Sequence, residues 1–487
     1  MNIKQILSKE DQLIQQNELL KTNNQKEIKN IYGWVRTVRS SSNILAFCVI
    51  NDGSNVSGIQ IVLNNENMEE NQIEYFLKNI QIGTFLNCSG YIIESPAEGQ
   101  KYEMLLKTYE IVGAVDEKYP FSKGRINLDT LRNFYHLRGR TNTFGSVFRI
   151  RSALMKYTSD FFHNKDFLHL DPNIITINEC EGAGEAFKLS DKDLNIIYKQ
   201  FYKEKDESMT YKWNEDHFKR ATYLTVSSQL QLEALTCCLG NCYTMNKSFR
   251  AEHSNTRKHL SEFTHLEIEM INNDFTDLMH IGEEYIKYVI EQLLKYNKDD
   301  LENLDKFTSK GLLEKIYNIQ SKSFITIEYK DVINEINQDI KENGTELELE
   351  ALTYGDDLGS KHEDYITKKY DNGVFVTKWP MELKSFYMKQ DASNQTCYSF
   401  DLLMPYGIGE LIGGSQREED YDKLNNMMDK KGMNKENLKF YTDLRKYGTC
   451  MHGGFGLGFE RLCMLLTGMQ NIRDVVPFPV FYESCNF

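Results

Sequence analysis

Phe249-Arg-Ala-Glu-His-Ser-Asn-Thr-Arg-Lys-His-Leu-Ser-Glu-Phe-Thr-His-Leu-Glu-Ile-Glu269 decides how the rest of the chain is read. Its ends read as strands and its charged middle as the loop of a hairpin. Arg250, Arg257, Lys258 and His259 converge near that loop. Guanidinium groups bind phosphate oxygens bidentately, so the cluster suits a polyphosphate. Taken alone, the segment is equally a solvated charged hairpin.

Two further segments lie downstream. Gly453-Gly-Phe-Gly-Leu-Gly-Phe-Glu-Arg461 precedes the apolar run Leu462-Cys-Met-Leu-Leu466. Gly-rich backbone that leads into a helix lets a ligand approach closely. The spacing is not that of a Rossmann or P-loop fingerprint. Gly409-Glu-Leu-Ile-Gly-Gly-Ser-Gln-Arg417 sets a carboxylate and an arginine at opposite ends of a Gly-rich strand. That arrangement suits a Mg²⁺ ligand and a reader of anions or amides.

Upstream, the texture is different. Ile31–Arg36, Ile44–Ile50, Gly58–Leu63, Thr84–Gly90 and Tyr102–Leu106 are short alternating apolar runs, separated by turns such as Asn51-Asp52-Gly53. Five such strands predict a small closed β-barrel. Phe148–His163 has helical spacing, and Phe167-Leu-His-Leu-Asp-Pro172 reads as a strand ending at a proline. Residues 295–350 are charged and helical in pattern and read as an inserted helical pair.

The chain has 487 residues, 40% hydrophobic and 26% charged, ordinary values for a globular protein of several domains. No apolar run is long enough to cross a membrane. The first 20 residues carry Glu10, Asp11 and Glu18 and no apolar core, so neither a secretory nor a transit signal is expected and the cytoplasm is the default. The net charge of −14 argues against nucleic acid as a partner, but a global sum does not exclude a local basic face. Of ten cysteines, Cys237, Cys238 and Cys242 cluster without a second pair at zinc-ligand spacing and are expected to be reduced thiols.

Taken together and in order, the hairpin, the Gly409–Arg417 strand and the Gly453–Arg461 segment resemble motif 2, the strand before motif 3, and motif 3 of class II aminoacyl-tRNA synthetases. Trp34–Leu63 resembles the anticodon-binding barrel of the aspartate, asparagine and lysine subgroup. His136-Leu-Arg-Gly-Arg-Thr-Asn-Thr-Phe-Gly145, Cys180-Glu-Gly-Ala-Gly-Glu-Ala-Phe187 and Ile412-Gly-Gly-Ser-Gln-Arg-Glu-Glu419 resemble its asparaginyl members. The resemblance covers nearly the whole chain. It implies an α+β fold, an antiparallel sheet flanked by helices and preceded by an N-terminal OB-fold barrel. The implied division is a helical extension over 1–28, the barrel over 29–114, a hinge over 115–140 and a catalytic domain over 141–487, with the insertion at 295–350.

The resemblance also implies roles. Arg250 holds the α-phosphate of ATP during attack, Phe263 and Arg461 sandwich the adenine, and His259 meets the γ-phosphate. Glu252 lies near the adenylate and the tRNA end; Arg250, Glu252 and Arg461 form the catalytic set. Asp401 and Glu410 bind Mg²⁺. Glu181, Ser227 and Gln229 bind the ammonium end of L-asparagine. Glu267 and Arg417 read its side chain, each expected to serve as the other's buried partner. In the barrel, Phe47 and Gln60, with Arg39 and Glu103 nearby, read the anticodon of tRNA(Asn); core packing is the other reading of Phe47. Motif 1, through Pro172, implies a homodimer.

An aspartate-specific enzyme is the nearest alternative. It resembles Ser-x-Gln-x-x-Lys where this chain has Ser227-Ser-Gln-Leu-Gln-Leu232, and Asp where this chain has Glu267. Without that lysine a charged substrate loses its partner, so both differences favour a neutral amide. A non-catalytic RNA-binding paralogue would have lost Arg250, Arg461 or Glu410, and a free asparagine synthetase of this fold would lack the barrel. Gly139, Met451 and Val480 depart from the family pattern.

Overall fold

A computed structural model describes residues 2–9, 28–66, 68–121, 126–178, 186–192, 213–343, 348–393 and 395–486. The chain forms two compact units, Met1–Arg149 with Asp299–Thr308, and Ile150–Lys298 with Ser309–Phe487. The first therefore ends later than the expected boundary at 140, and it recruits a short stretch from far along the chain.

The first unit contains the expected barrel, formed by β1 (Ile28–Ser42), β2 (Leu45–Asn51), β3 (Ile59–Asn64), β4 (Phe85–Glu94) and β5 (Tyr102–Gly113). They close in the order β1-β2-β3-β5-β4. Alternation along β2 assigns each side chain to a face: Ala46, Cys48 and Ile50 are buried, whereas Leu45, Phe47 and Val49 are partly exposed. Phe47 thus lies on the outer wall and not in the core. Burial pushes the Cys88 thiol up to about 12, so it packs as an apolar group. Helix Glu70–Asn79, which the strand pattern did not anticipate, buries Ile73 and Phe76 in the same core. Residues 3–9 are helical and bury Ile3 and Ile6 there as well, and the Ile3 amide donates to Asp52 Oδ2 at 2.7 Å.

The second unit is built on an eight-stranded sheet. Its strands are β6 (Leu168–His169), β10 (Cys242–Phe249), β11 (Glu262–Ile271), β12 (Ile325–Glu328), β13 (Val374–Thr377), β14 (Ser399–Met404), β15 (Gly409–Gln416) and β16 (His452–Gly458). The order is β12-β13-β14-β15-β16-β11-β10-β6. The interior is antiparallel as expected, but both edge strands pair in parallel. Short strands β7 (Ile175–Thr176), β8 (Lys188–Leu189) and β9 (Thr222–Leu224) form a separate sheet.

Residues 295–350 are not the expected inserted helical pair. Helices Leu312–Ser321 and Tyr329–Asn343 precede and follow β12, the edge strand of the main sheet, in the chain, whereas nearly all of helix Lys298–Phe307 belongs to the first unit. Leu312, Ile316, Tyr329, Val332 and Ile336 are almost wholly buried, so this stretch is built into the fold. A charged helix buries one face while the other stays charged, and composition averages the two.

The sheet needs glycine where its layers touch. A Cβ on Gly414 would stand 2.4 Å from Phe400 Cζ and 2.7 Å from Phe455 Cβ, inside the aromatic core. We expect Gly414→Val to destabilise the second unit by roughly 1–3 kcal/mol through overpacking, read as a lower melting temperature. An unchanged melting temperature would mean that this core is looser than described.

Candidate active site

On β11, side chains alternate between faces. Thr264, Leu266, Ile268 and Met270 are buried on one side, while Phe263, His265, Glu267 and Glu269 form a row on the other. At about 3.3 Å per residue the row spans roughly 20 Å. It runs from an open cleft at Phe263 to full burial at Glu269.

The upper end is a cleft of about 150 Å³ whose walls include Arg250, Glu252, Lys258, His259, Phe263, His265, Glu410 and Arg461. The antiparallel pairing of β10 and β11 brings the hairpin residues there, and helix Phe459–Thr467 after β16 brings Arg461. The Arg250 guanidinium carbon lies 5.6 Å from the Phe263 ring centre, and Arg250 Nη1 is 3.7 Å from Glu252 Oε1. Arg461 donates to the Glu410 carbonyl. His259 Nδ1 contacts Thr256 Oγ1 at 2.6 Å. Its pKa is held below the ordinary range by burial, with Glu252 opposing and Arg461, Arg250 and Lys258 adding to the shift. Three cations around a neutral imidazole suit a polyanion. Arg257, grouped with these in the sequence, is not a wall of this cleft, and its carbonyl accepts from the Ile472 amide. Val480 meets the hairpin through its backbone, its carbonyl accepting from Ser261 N at 2.8 Å.

The floor is carboxylate-rich. A Cβ on Gly413 would lie 2.8 Å from Glu410 Oε1 and 3.7 Å from Asp401 Oδ1, so these two expected ligands converge. Asp401 Oδ2 accepts from Lys384 Nζ at 2.6 Å. Burial pushes the Asp401 carboxyl up to about 7; Lys384 opposes this and Glu410 adds to it. Buried hard oxygens that repel one another suit Mg²⁺. Glu363, on helix Ser360–Tyr370, stands beside Gly409 with Lys258; burial pushes its carboxyl up, and Glu410 adds to this. Nothing in its charged surroundings marked it in the sequence.

The middle of the row is Glu267. Ser228 N donates to its two oxygens at 3.0 and 3.2 Å, and the Ser227 hydroxyl also donates. Ser228 caps helix Gln229–Leu239, so the carboxylate faces a helix N-terminus, where negative charge is favoured. His265 Nδ1 is 3.4 Å from Glu267 Oε1. Toward β16 and β15 Glu267 faces Gly456 and then Gly413, which bear no side chain. A Cβ on Gly456 would meet His265 Nε2 at 2.4 Å.

The lower end revises one expected pairing. Arg417, almost wholly buried, binds Glu269 and not Glu267: Nε donates to Oε1 at 3.0 Å and Nη2 to Oε2 at 2.9 Å. Nη2 also donates to Gln229 Oε1 at 2.7 Å, and Nη1 to Ser415 Oγ at 2.6 Å. Gln229 Nε2 donates to Glu269 Oε2 at 3.0 Å. Glu267 lies two residues further up the strand, with its own donors. Below, Glu233 accepts from Arg445 at 2.6 Å, Tyr441 at 2.7 Å and His452 at 2.8 Å. Burial opposes its charge, but Arg445, His452 and Arg417 hold Glu233 well below the usual carboxylate range. Leu232 is buried on the same helix. Sequence reasoning missed Glu233, Glu269, Arg445 and His452, because their partners lie far away along the chain.

The fold also brings Cys450 and His452 to Cys237, their ligand atoms within 4.8 Å of one another. The His452 nitrogens already face Glu233 and the Cys450 carbonyl, and burial pushes the Cys237 thiol up to about 12. Among the described residues the cysteines are free. Glu181 lies outside the described residues.

On the barrel wall, Arg39, Phe47, Gln60 and Glu103 form one patch across β1, β2, β3 and β5. The Arg39 guanidinium carbon lies 4.9 Å from the Phe47 ring centre, and Arg39 Nη2 donates to Gln60 Oε1 at 3.2 Å. Gln60 Nε2 donates to Glu103 Oε2 at 3.1 Å.

A row of this kind, open to polyanions at one end and closed by a buried ion pair at the other, can hold a nucleotide and a small zwitterion end to end. Residues 127–481 match the tRNA synthetases class II (D, K and N), and residues 30–112 an OB-fold nucleic acid binding domain. The asparagine–tRNA ligase of Phocaeicola vulgatus is 39% identical over 471 residues, 96% of this chain and 98% of that protein. This chain belongs to the asparagine–tRNA ligase family. The family member from Treponema denticola is 41% identical over 454 residues, 92% of this chain and 94% of its own. Among solved structures, asparaginyl-tRNA synthetase from Pyrococcus horikoshii complexed with asparaginyl-adenylate superposes with a TM-score of 0.79 at 28% identity, covering 94% of this chain and 96% of that one.

Within this asparagine–tRNA ligase fold, the buried cluster should be intolerant of an unpaired charge. We expect Glu233→Ala, which strands Arg445 and His452, to cost about 3–5 kcal/mol. Thermal unfolding checks this: a melting temperature near wild type would contradict it.

Proposed function

We propose that this chain activates L-asparagine with ATP, forming asparaginyl-adenylate and diphosphate, and then transfers the asparaginyl group to tRNA(Asn). The observation that carries the reading is the β11 row, which joins a cationic nucleotide cleft to a pocket holding an arginine and a carboxylate. In it ATP lies with its adenine between Phe263 and Arg461. Arg250 stabilises the charge that grows at the α-phosphate as the asparagine carboxylate attacks. His259 and Lys258 meet the outer phosphates, and Glu252 faces the adenylate. Asp401 and Glu410 would hold Mg²⁺, which neutralises phosphate charge when bound.

Asparagine is read by a donor and an acceptor. Arg417 gives an N–H to the side-chain carbonyl: among the described residues one hydrogen on Nη1 has no partner after the bonds to Glu269, Gln229 and Ser415. Glu267 accepts from the amide NH₂, directly or through one water. Ser227, Gln229 and Glu181 serve the ammonium end. Aspartate would set a second carboxylate against Glu267, and the buried Leu232 supplies no cation to offset it. Each effect is worth ~1–3 kcal/mol, so discrimination on the order of 10³-fold is expected. Diphosphate exchange with asparagine against aspartate tests this, and equal kcat/KM for the two would refute it.

The same reading assigns the Arg39, Phe47, Gln60 and Glu103 patch to the anticodon. It also assigns a homodimer through the segment around Pro172, supported by the exposed apolar side chains of Leu168 and Ile175.

Two substitutions separate the sites. Arg250→Ala should lower diphosphate exchange by about 10²-fold or more while leaving the fold intact; exchange at a near wild-type rate would remove Arg250 from the reaction. Phe47→Ala should spare exchange but weaken tRNA binding by roughly 1–3 kcal/mol, seen as a raised KM for tRNA in charging. Equal damage to both reactions would return Phe47 to a structural role.

A further inference from the structure

A second pocket, of about 400 Å³, lies within the first unit, against the outer wall of β1. Along β1 the alternation buries Ile31 and Val35 in the barrel and turns Trp34 and Arg36 outward into this pocket. Tyr119 and Phe121 form another wall, and Arg140 and Asn303 also line it.

The charges in this pocket are unbalanced. Arg36 and Arg140 are both half-buried, and among the described residues no Asp or Glu lines the pocket. Arg36 Nε is buried without a hydrogen-bond partner, and among the described residues neither arginine pairs with a carboxylate. Burial depresses the Arg36 pKa to about 10; Tyr119 opposes this, and Arg140 and Arg149 add to it. Arg149 is neutralised by Asp300 at 2.7 Å, whereas Arg36 and Arg140 are not paired in this way. Two cations gathered without an anion cost stability, a pattern found where a ligand supplies the missing charge.

The walls specify the rest of the ligand. The Arg140 guanidinium carbon lies 5.3 Å from the Trp34 ring centre and 5.8 Å from that of Tyr119. The rings are braced from behind: Trp34 by Phe85 at 4.8 Å and Tyr119 by Phe121 at 5.6 Å. Gly83, at φ +94°, leaves room for the Tyr119 ring, which a Cβ there would meet at 2.6 Å. Arg140 itself rests over both rings, so an anion that draws its guanidinium away uncovers flat, fixed aromatic faces that suit a planar ring, and guanidinium forks suit a phosphate. The volume falls in the range of small-ligand sites.

We propose that this pocket binds a nucleoside 5′-phosphate unit, with the phosphate on Arg36 and Arg140 and the base against Trp34 and Tyr119. It is separate from the cleft on β11. The unit could be supplied by a free nucleotide or by an unpaired nucleotide of an RNA.

Calorimetry tests this on the full-length protein, with the β11 cleft first saturated by a non-hydrolysable asparaginyl-adenylate analogue. Titrated 5′-UMP should then bind at least about tenfold more tightly than uridine or inorganic phosphate, since each control lacks half of the contacts. Binding should weaken at least about tenfold in Arg36→Gln/Arg140→Gln, and the unliganded double variant should melt no lower than wild type, because a repulsion has been removed. Displacement of UMP by a tRNA transcript would identify the source as RNA; persistence of UMP would identify a free nucleotide. Absence of UMP binding to the saturated wild type, or unchanged binding in the double variant, would overturn the proposal. If the double variant does not fold, Arg140→Gln alone serves, with the same loss expected and unchanged binding again decisive against it.

Discussion

The second unit depends on one ion pair that water does not reach. Arg417 and Glu269 are buried and joined through two bonds, at 2.9 and 3.0 Å. Burying either charge alone would cost several kcal/mol, so each is present because the other is. The bidentate geometry also fixes the plane of the guanidinium, and Gln229 and Ser415 fix it further. A cation held this way is rigid. Beneath it lies a second buried layer, in which Glu233 accepts from Arg445, Tyr441 and His452.

From that anchor the site is graded along a single strand. Burial falls from Glu269 through Glu267 and His265 to Phe263. The facing strands leave the row uncovered because Gly454, Gly456 and Gly413 stand opposite it. Alternate glycines on those strands serve the other face, where Gly414 admits Phe400 and Phe455. One Gly-rich pattern thus meets two demands, an open groove above and close layers below. A solvated hairpin could not have been told from this arrangement by composition, since the distinction lies in what the strands face.

Legibility followed periodicity and separation. The five barrel strands were visible because inward and outward residues alternate cleanly, as in Ala46-Phe47-Cys48. Phe47 could not be assigned to core or surface from its type, yet its neighbours' burial assigns it at once. The cleft residues were legible as a cluster because hairpin pairing keeps Arg250, His259 and Phe263 close in sequence and in space. The Arg417 partner was misassigned because Glu267 and Glu269 occupy the same face of β11 and only cross-strand register separates them. Glu233 and Arg445 are 212 positions apart and carried no local signal. Residues 295–350 were misjudged for a related reason, because the four-residue β12 inside a helical pattern has too short a period to register.

In the proposed function the Glu269–Arg417 clamp orients asparagine and has no part in holding ATP. The most direct test is diphosphate exchange in Glu269→Gln, which keeps the shape but removes the charge that fixes Arg417 and turns one accepting oxygen into a donor. The account predicts that KM for asparagine rises by about tenfold or more, the loss of one charge-assisted contact, while KM for ATP is unchanged. Unchanged KM values for both, or a rise confined to ATP, would contradict it.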